Sequence, residues 1–237
     1  RLGIPQRLER IAFIALEPGG IDRIEYCGLN YEPCPEIPGH QGIPFNFGHK
    51  NKRGLICQRE IGTDTLSYKN AIGSLRHQSA DIVIVTGVET LEVAEFVLNL
   101  AAGGTLVLAT ATASSTLVML EKLIDLFPPH LNQAVRGQLA VGLEAIISQT
   151  LLNKASGDGL LPAFEMMLGS PQVKSLLREN KLFQLYNLMS TVGRESGMQT
   201  QEMALRFLVK KNLVSMEEAV RKAVRPEEFK KIMALPY

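Results

Sequence analysis

The chain has 237 residues, with 25 Lys+Arg against 24 Asp+Glu and 46% hydrophobic residues. A balanced charge with no basic stripe argues against nucleic-acid binding through phosphate neutralisation, and the hydrophobic fraction argues against disorder. No apolar run approaches the roughly 18 residues of a bilayer span, and the chain opens with Arg1, without a charged-then-apolar leader. A soluble protein or a piece of one, in one large or two small domains with its three cysteines reduced, is therefore expected.

In chain order, Pro5 to Ile11 carries a short amphipathic helix signal. The apolar run Ala12-Phe13-Ile14-Ala15-Leu16 then ends at Glu17-Pro18-Gly19-Gly20, which reads as a buried strand entering a loop. Residues 27–53, rich in Pro, Gly, Asn and His, read as a long irregular loop. Gly54 to Glu60 is a short strand, and Thr65 to Gln78 has helical spacing through Leu66, Ala71, Ile72 and Leu75. Asp81 to Val85 is a β-branched run typical of a parallel strand covered on both faces. Glu89 to Ala101 is helical again, and Thr105 to Thr110 repeats the buried-strand signature. This alternation predicts a doubly wound α/β layer structure with right-handed crossovers.

From about residue 155 the pattern is helical only. Ser170-Pro171 opens one helix, Gln199 to Lys211 forms a second, and Ser215 with Glu218 makes a capping box for a third. Two units are expected: an α/β core over 1–155, with the irregular loop at 27–53, and a C-terminal all-helical module over 156–237. Mixed charge on the last helices reads as solvation, and Met166, Met167 and Met198 read as core filling.

Several motifs stand in a telling order. Ser148-Gln149-Thr150-Leu151 precedes Ser170 to Glu179, which ends in Arg178-Glu179, and Gly197-Met198-Gln199-Thr200 follows. Upstream lie Gln58-Arg59-Glu60, Ser74-Leu75-Arg76 and the Asp81 to Val85 strand. Together they resemble the type IV pilus retraction ATPases (PilT-type) of the hexameric secretion ATPase superfamily, over roughly residues 54–230. The resemblance implies a RecA-like, P-loop-NTPase-type core, ATP and Mg as cofactors, and a homo-oligomer, a hexamer in the family. It also implies a place in the cytoplasm, peripheral to the inner membrane, beside a pilus or secretion platform protein, with no nucleic acid. The helix ending at Arg178-Glu179 matches the family's retraction signature but departs from it at Gln172, Lys174 and Ser175.

Against that pattern the nucleotide-site motifs are incomplete. Phosphoryl transfer is mostly positioning and electrostatics, and it needs a carboxylate after the Asp81 to Val85 strand to handle the attacking water. The family has Gly-Glu there; this chain has Thr86-Gly87, with Gly87 at the Glu position. Glu89, two residues on, either substitutes in a remodelled loop or begins the next helix, where a carboxylate suits the helix dipole. In the segment matching the family's His box, Thr105 and Thr112 occupy the histidine positions and Thr110 matches.

No G-x-x-x-x-G-K-[ST] string exists in the chain. Pro18, Gly19 and Gly20 stand where the phosphate loop would begin, and Glu25 takes the place of the family's Asp-box carboxylate. Between Gly20 and Ile21 roughly twenty residues are missing against the pattern, enough for the rest of the loop and the helix behind it. Losing that helix should bare one face of a parallel sheet, leaving residues 27–53 or a partner to cover it; otherwise the segment has been omitted from the sequence. The expected site residues are therefore Glu25 and Glu89 for catalysis, and Pro18, Gly19, Gly20, Asp81 and Thr110 for the cofactor.

The favoured expectation is a pseudo-ATPase that assembles with itself or with active homologues in a pilus or secretion machine. An active retraction motor is the alternative. A third expectation is a zinc-binding interaction module: Cys27, Cys34, His40 and His49 offer two thiolates and two imidazoles, although their spacing is that of no known finger. His77, Ser79 and Asp81 lie close in sequence but lack a nucleophile elbow.

Overall fold

The computed structural model describes residues 10–16, 23–28, 55–60, 64–67, 70, 71, 75, 80–157 and 159–234. They include a seven-stranded sheet formed by β1 (Arg10–Leu16), β2 (Arg23–Gly28), β3 (Leu55–Glu60), β4 (Ile82–Val85), β5 (Leu106–Thr112), β6 (Leu143–Asn153) and β7 (Leu160–Leu168). The strand order is β3-β2-β4-β5-β1-β6-β7. The four inner strands β4, β5, β1 and β6 run parallel, whereas β2, β3 and β7 pair antiparallel with their neighbours.

The parallel part follows from two helical crossovers. α1 (Leu91–Ala102) joins β4 to β5, and α2 (Thr116–Asp125) with α3 (Asn132–Gly142) joins β5 to β6. By contrast, only residues 17–22 connect β1 to β2. A parallel return needs about a dozen residues or more, so a connection this short leaves β2 antiparallel to β4.

The two faces of the sheet differ sharply. Val83 and Val85 of β4, Val107, Ala109 and Ala111 of β5, and Ile146, Ser148 and Thr150 of β6 are buried. On β7 the same face carries buried Ala163, Glu165 and Met167. The opposite face holds Ile82, Ile84, Leu106, Leu108, Ala145, Ile147 and Leu151, all half-buried, and exposed Phe164 and Leu168. Among the described residues of β4 to β7 this face has no fully buried side chain.

The C-terminal part is helical, with α4 (Pro171–Arg178), α5 (Leu185–Ser196), α6 (Gln201–Lys210), α7 (Met216–Lys222) and α8 (Pro226–Ala234). Leu205, Leu208, Ala219 and Phe229 from these helices close a second core over Leu152 and Ala163 of the β6–β7 hairpin. Ser170, Thr200 and Ser215 cap α4, α6 and α7 by accepting from the amides of Val173, Met203 and Glu218. The expected capping box on α7 is half formed, because the Glu218 carboxylate instead takes the Asn153 amide and Arg221.

Two expectations are corrected. Residues 156–237 are not helical throughout: β7 extends the sheet beyond residue 155, so the chain crosses that expected boundary inside a hairpin. Its alternation was hidden because the buried face reads Ala, Glu, Met, with no β-branched residue and with Pro162 alongside. Arg10 and Ile11 belong to β1, not to a helix, and the rest of the Pro5 to Ile11 signal lies outside the described residues. Of the expected Thr65 to Gln78 helix, Thr65 to Ser67 lie outside any helix and Leu66 is exposed, a correction of its start, whereas Asn70, Ala71 and Leu75 are helical.

Candidate active site at the carboxyl ends of beta4 and beta5

In open α/β sheets ligands bind beyond the carboxyl ends of the parallel strands. Here that edge is built by the turn from β4 into α1 and the turn from β5 into α2. Thr90 caps α1 by accepting from the Val93 amide at 3.5 Å, and Ser115 caps α2 by accepting from the Val118 amide at 3.2 Å.

Gly87 adopts φ 75°, in the left-handed region. Its amide donates to the Thr110 hydroxyl at 3.3 Å, and the next amide, Val88, donates to the Thr110 carbonyl at 2.9 Å. The position where a catalytic carboxylate is expected therefore sits in a backbone conformation that favours glycine, and Thr110 acts as a brace between the two turns.

Glu89 is exposed and lies just before the cap of α1, so it neither opens the helix nor sits in its first turn, which carries Glu92. Its carboxylate accepts from the Thr112 hydroxyl at 3.1 Å, and Lys122 donates to the Thr112 carbonyl at 3.0 Å. These groups rim a cavity of about 550 Å³ whose lining includes Val88, Met119, Leu123 and Leu126. An apolar floor under a few polar groups is the usual make-up of a small-molecule pocket.

The other expected residues do not join this group. Asp81 is exposed at the amino end of β4, its carbonyl accepting from Leu106 at 3.0 Å. The length of a four-residue strand, about 13 Å, separates it from the opposite edge. Glu25 lies in β2, in register with Ile84 and Gln58. Pro18, Gly19 and Gly20 lie outside the described residues, as do Cys34, His40 and His49, while Cys27 pairs with Ile56 and Ile82 in the sheet. Among the described residues no group of three or more His, Cys, Asp or Glu could hold a metal ion.

The described residues do not fit the phosphate end of a nucleotide. The Gly87 amide and the Thr110 and Thr112 hydroxyls are engaged with one another's turns, and the lining carries two carboxylates, Glu89 and Asp125, against the single Lys122 ammonium, itself donating to the Thr112 carbonyl. Sequence reasoning missed Lys122 and the Thr112–Glu89 bond, which joins residues 23 apart with no local signal. It also missed Glu165, whose place alternating between Ala163 and Met167 was the available clue.

No family model matches the chain. Over 186 residues it is 38% identical to the type IV pilus retraction ATPase PilT of Pseudomonas aeruginosa, covering 78% of this chain and 54% of that protein. It is 35% identical over 186 residues to a twitching motility protein of Neisseria gonorrhoeae, covering 78% and 50%. The crystal structure of the pilus retraction motor PilT with bound ADP superposes with a TM-score of 0.73 at 28% identity, covering 93% of this chain and 55% of that one. The ATPase DotB of Yersinia pseudotuberculosis matches in fold, with a TM-score of 0.66 at 16% identity over 90% of this chain and 49% of that one. The chain thus spans about half the length of the curated relatives it matches. Within that span it belongs to the PilT-type family of pilus and secretion ATPases, with the α/β fold and helical C-terminal part of its relatives.

Proposed function

We propose that this chain is a pseudo-ATPase of the PilT-type family, acting as an assembly or regulatory subunit of a type IV pilus or secretion machine. The observation that carries the reading is Gly87: the residue at the carboxylate position has no side chain, and its φ of 75° builds that absence into the turn. Thr112 at a histidine position, bonded to Glu89, supports it. In this reading the sheet through β7 and its crossover helices form the core, and the helices after β7 form the attachment module. The subunit assembles as a homo-oligomer or with active homologues, at the cytoplasmic side of an inner-membrane platform protein. ATP with Mg binds weakly or not at all, and Glu25, Pro18, Gly19, Gly20 and Asp81 are not used for turnover. Among the described residues no helix is long and apolar enough to cross a membrane.

Purified protein should give no ATP turnover above buffer and little retention of ADP at equilibrium. The second reading, an active motor, draws on Glu89 at the rim of the cavity. Turnover abolished by Glu89→Gln would replace the first reading with the second.

A further inference from the structure

The candidate active site leaves one buried group of charges unexplained, at the seam between the sheet and the C-terminal helices. Glu165 of β7 is buried, and its Oε2 accepts from the backbone amide of Thr116 at 2.7 Å. Thr116 is the first residue of α2, next to the cap Ser115, so Glu165 takes one of the amides that a helix start leaves free. The contact therefore ties β7, on which α6 packs, to the turn that carries Thr112.

The surroundings are charged on several sides. α6 brings Glu202, fully buried, with neither carboxylate oxygen in a hydrogen bond. The α7–α8 junction brings Arg225, whose Nη1 lies 3.9 Å from Glu202 Oε1. Its guanidinium stacks over Tyr186 of α5 at 4.0 Å from the ring centre. Burial, with Glu202 next, pushes the Tyr186 hydroxyl up to about 12, and Glu228 of α8 acts on it in the same direction. α2 adds no titratable group at this end; the Thr116 hydroxyl faces the Met189 sulfur at 3.9 Å.

We propose that Glu165 is a proton-sensitive tie between the C-terminal helices and the β5–α2 turn, holding that turn when ionised and loosening it when protonated. The ionised carboxylate is a charge-assisted acceptor at the positive end of a helix, and the neutral acid is a weaker one. Burial raises the Glu165 carboxyl to about 6, with a further rise from Glu202, against the lowering by the Thr116 amide, the Arg225 charge and the Thr116 hydroxyl. Such a group changes charge within the ordinary range of cellular pH. The state of the seam is thereby passed to Thr116 and on to the Thr112–Glu89 contact.

The test is amide hydrogen exchange on the full chain between about pH 5 and 7.5, corrected for intrinsic rates, and it needs no nucleotide. It is thus independent of the proposed loss of ATPase activity, whose own test is turnover. In the unaltered protein the Thr116 amide should be about fivefold better protected above the titration of Glu165 than below it when it exchanges by local opening of the turn with Glu165 still buried, the ratio expected between charged and neutral acceptors, even though the stability of the whole fold falls over the same range. Glu165→Gln keeps an accepting oxygen and should abolish the pH dependence. Glu202→Gln should keep the dependence but move its midpoint to lower pH, because one like charge is gone. The same profile in Glu165→Gln, an unmoved midpoint in Glu202→Gln, or flat protection in the unaltered protein would overturn the proposal.

Discussion

The carboxyl edge of β4 and β5 and the seam under the C-terminal helices are both polar, and they are built in opposite ways. At the edge, Thr112, Glu89 and Lys122 bond to one another at the surface over a glycine turn. At the seam, Glu165 and Glu202 are buried, and buried Gln201 bonds Thr150 at 2.8 Å while accepting from Val224 at 2.8 Å. Burying charge is costly unless something compensates, so the electrostatic load lies at the seam, while the polar groups of the edge stay at the surface. Small residues satisfied by their neighbours suit a scaffold. A site for phosphoryl transfer needs donors held open for the substrate.

The largest effect expected lies at the seam's apolar floor. Phe229 is fully buried in the core shared by α6, α7, α8 and the β6–β7 hairpin. Phe229→Ala should cost about 3–5 kcal/mol, the range for truncating a packed aromatic. Urea denaturation followed by circular dichroism would read it. A loss below about 1 kcal/mol would mean that the helices are loosely seated and the contrast between the two regions is false.

Next comes the pH dependence of Glu165. Its folded carboxyl is raised from 4.5 to about 6, so the folded state holds its proton over a window where the unfolded chain has released it. The stability this contributes is fully present below the unfolded value and is lost as pH rises through the folded one. The shift corresponds to about 2 kcal/mol. Glu165→Gln cannot ionise, so the variant should be more stable than the unaltered protein by up to that amount at neutral pH. The difference should vanish in acid, as denaturation series at several pH values would show. A variant that is less stable at neutral pH would mean that the charge is compensated and the seam is under no electrostatic load.

Much of this comparison was legible in the sequence, but unevenly. The runs at Ala12 to Leu16, Asp81 to Val85 and Thr105 to Thr110 fall on β1, β4 (from Ile82) and β5 (from Leu106), because short continuous apolar stretches bounded by turn residues have few alternatives. β7 was illegible because a buried glutamate occupies the middle of its inward face, and an acid in a strand reads as solvent-facing until its partner is known. That partner, the Thr116 amide, is 49 residues away. The same distance problem hid the Thr112–Glu89 bond, whereas Gly87 could be seen at the expected carboxylate position but not as a left-handed residue.

Placing a carboxylate at position 87 tests the edge directly. Gly87→Glu places a side chain at φ 75°, where a residue other than glycine costs about 1 kcal/mol. The variant should melt a few degrees lower, the shift expected for a domain of this size, and should gain no ATP turnover. Appearance of turnover would show that the edge had lost one group only and otherwise remains a working site.

The smallest effect belongs to Glu89, and its smallness gives the experiment its use. The residue is exposed, and its one described partner is the Thr112 hydroxyl. Glu89→Gln leaves an amide oxygen to accept the same bond, so stability should change by less than about 0.5 kcal/mol, as for most surface substitutions. The melting temperature should then move by no more than about 2 °C. Because the fold is untouched, any loss of turnover or of ligand binding in this variant belongs to the carboxylate itself. A shift larger than that would instead mean that the bond to Thr112 holds the β4–α1 turn, giving the exposed edge a structural load like that of the buried seam.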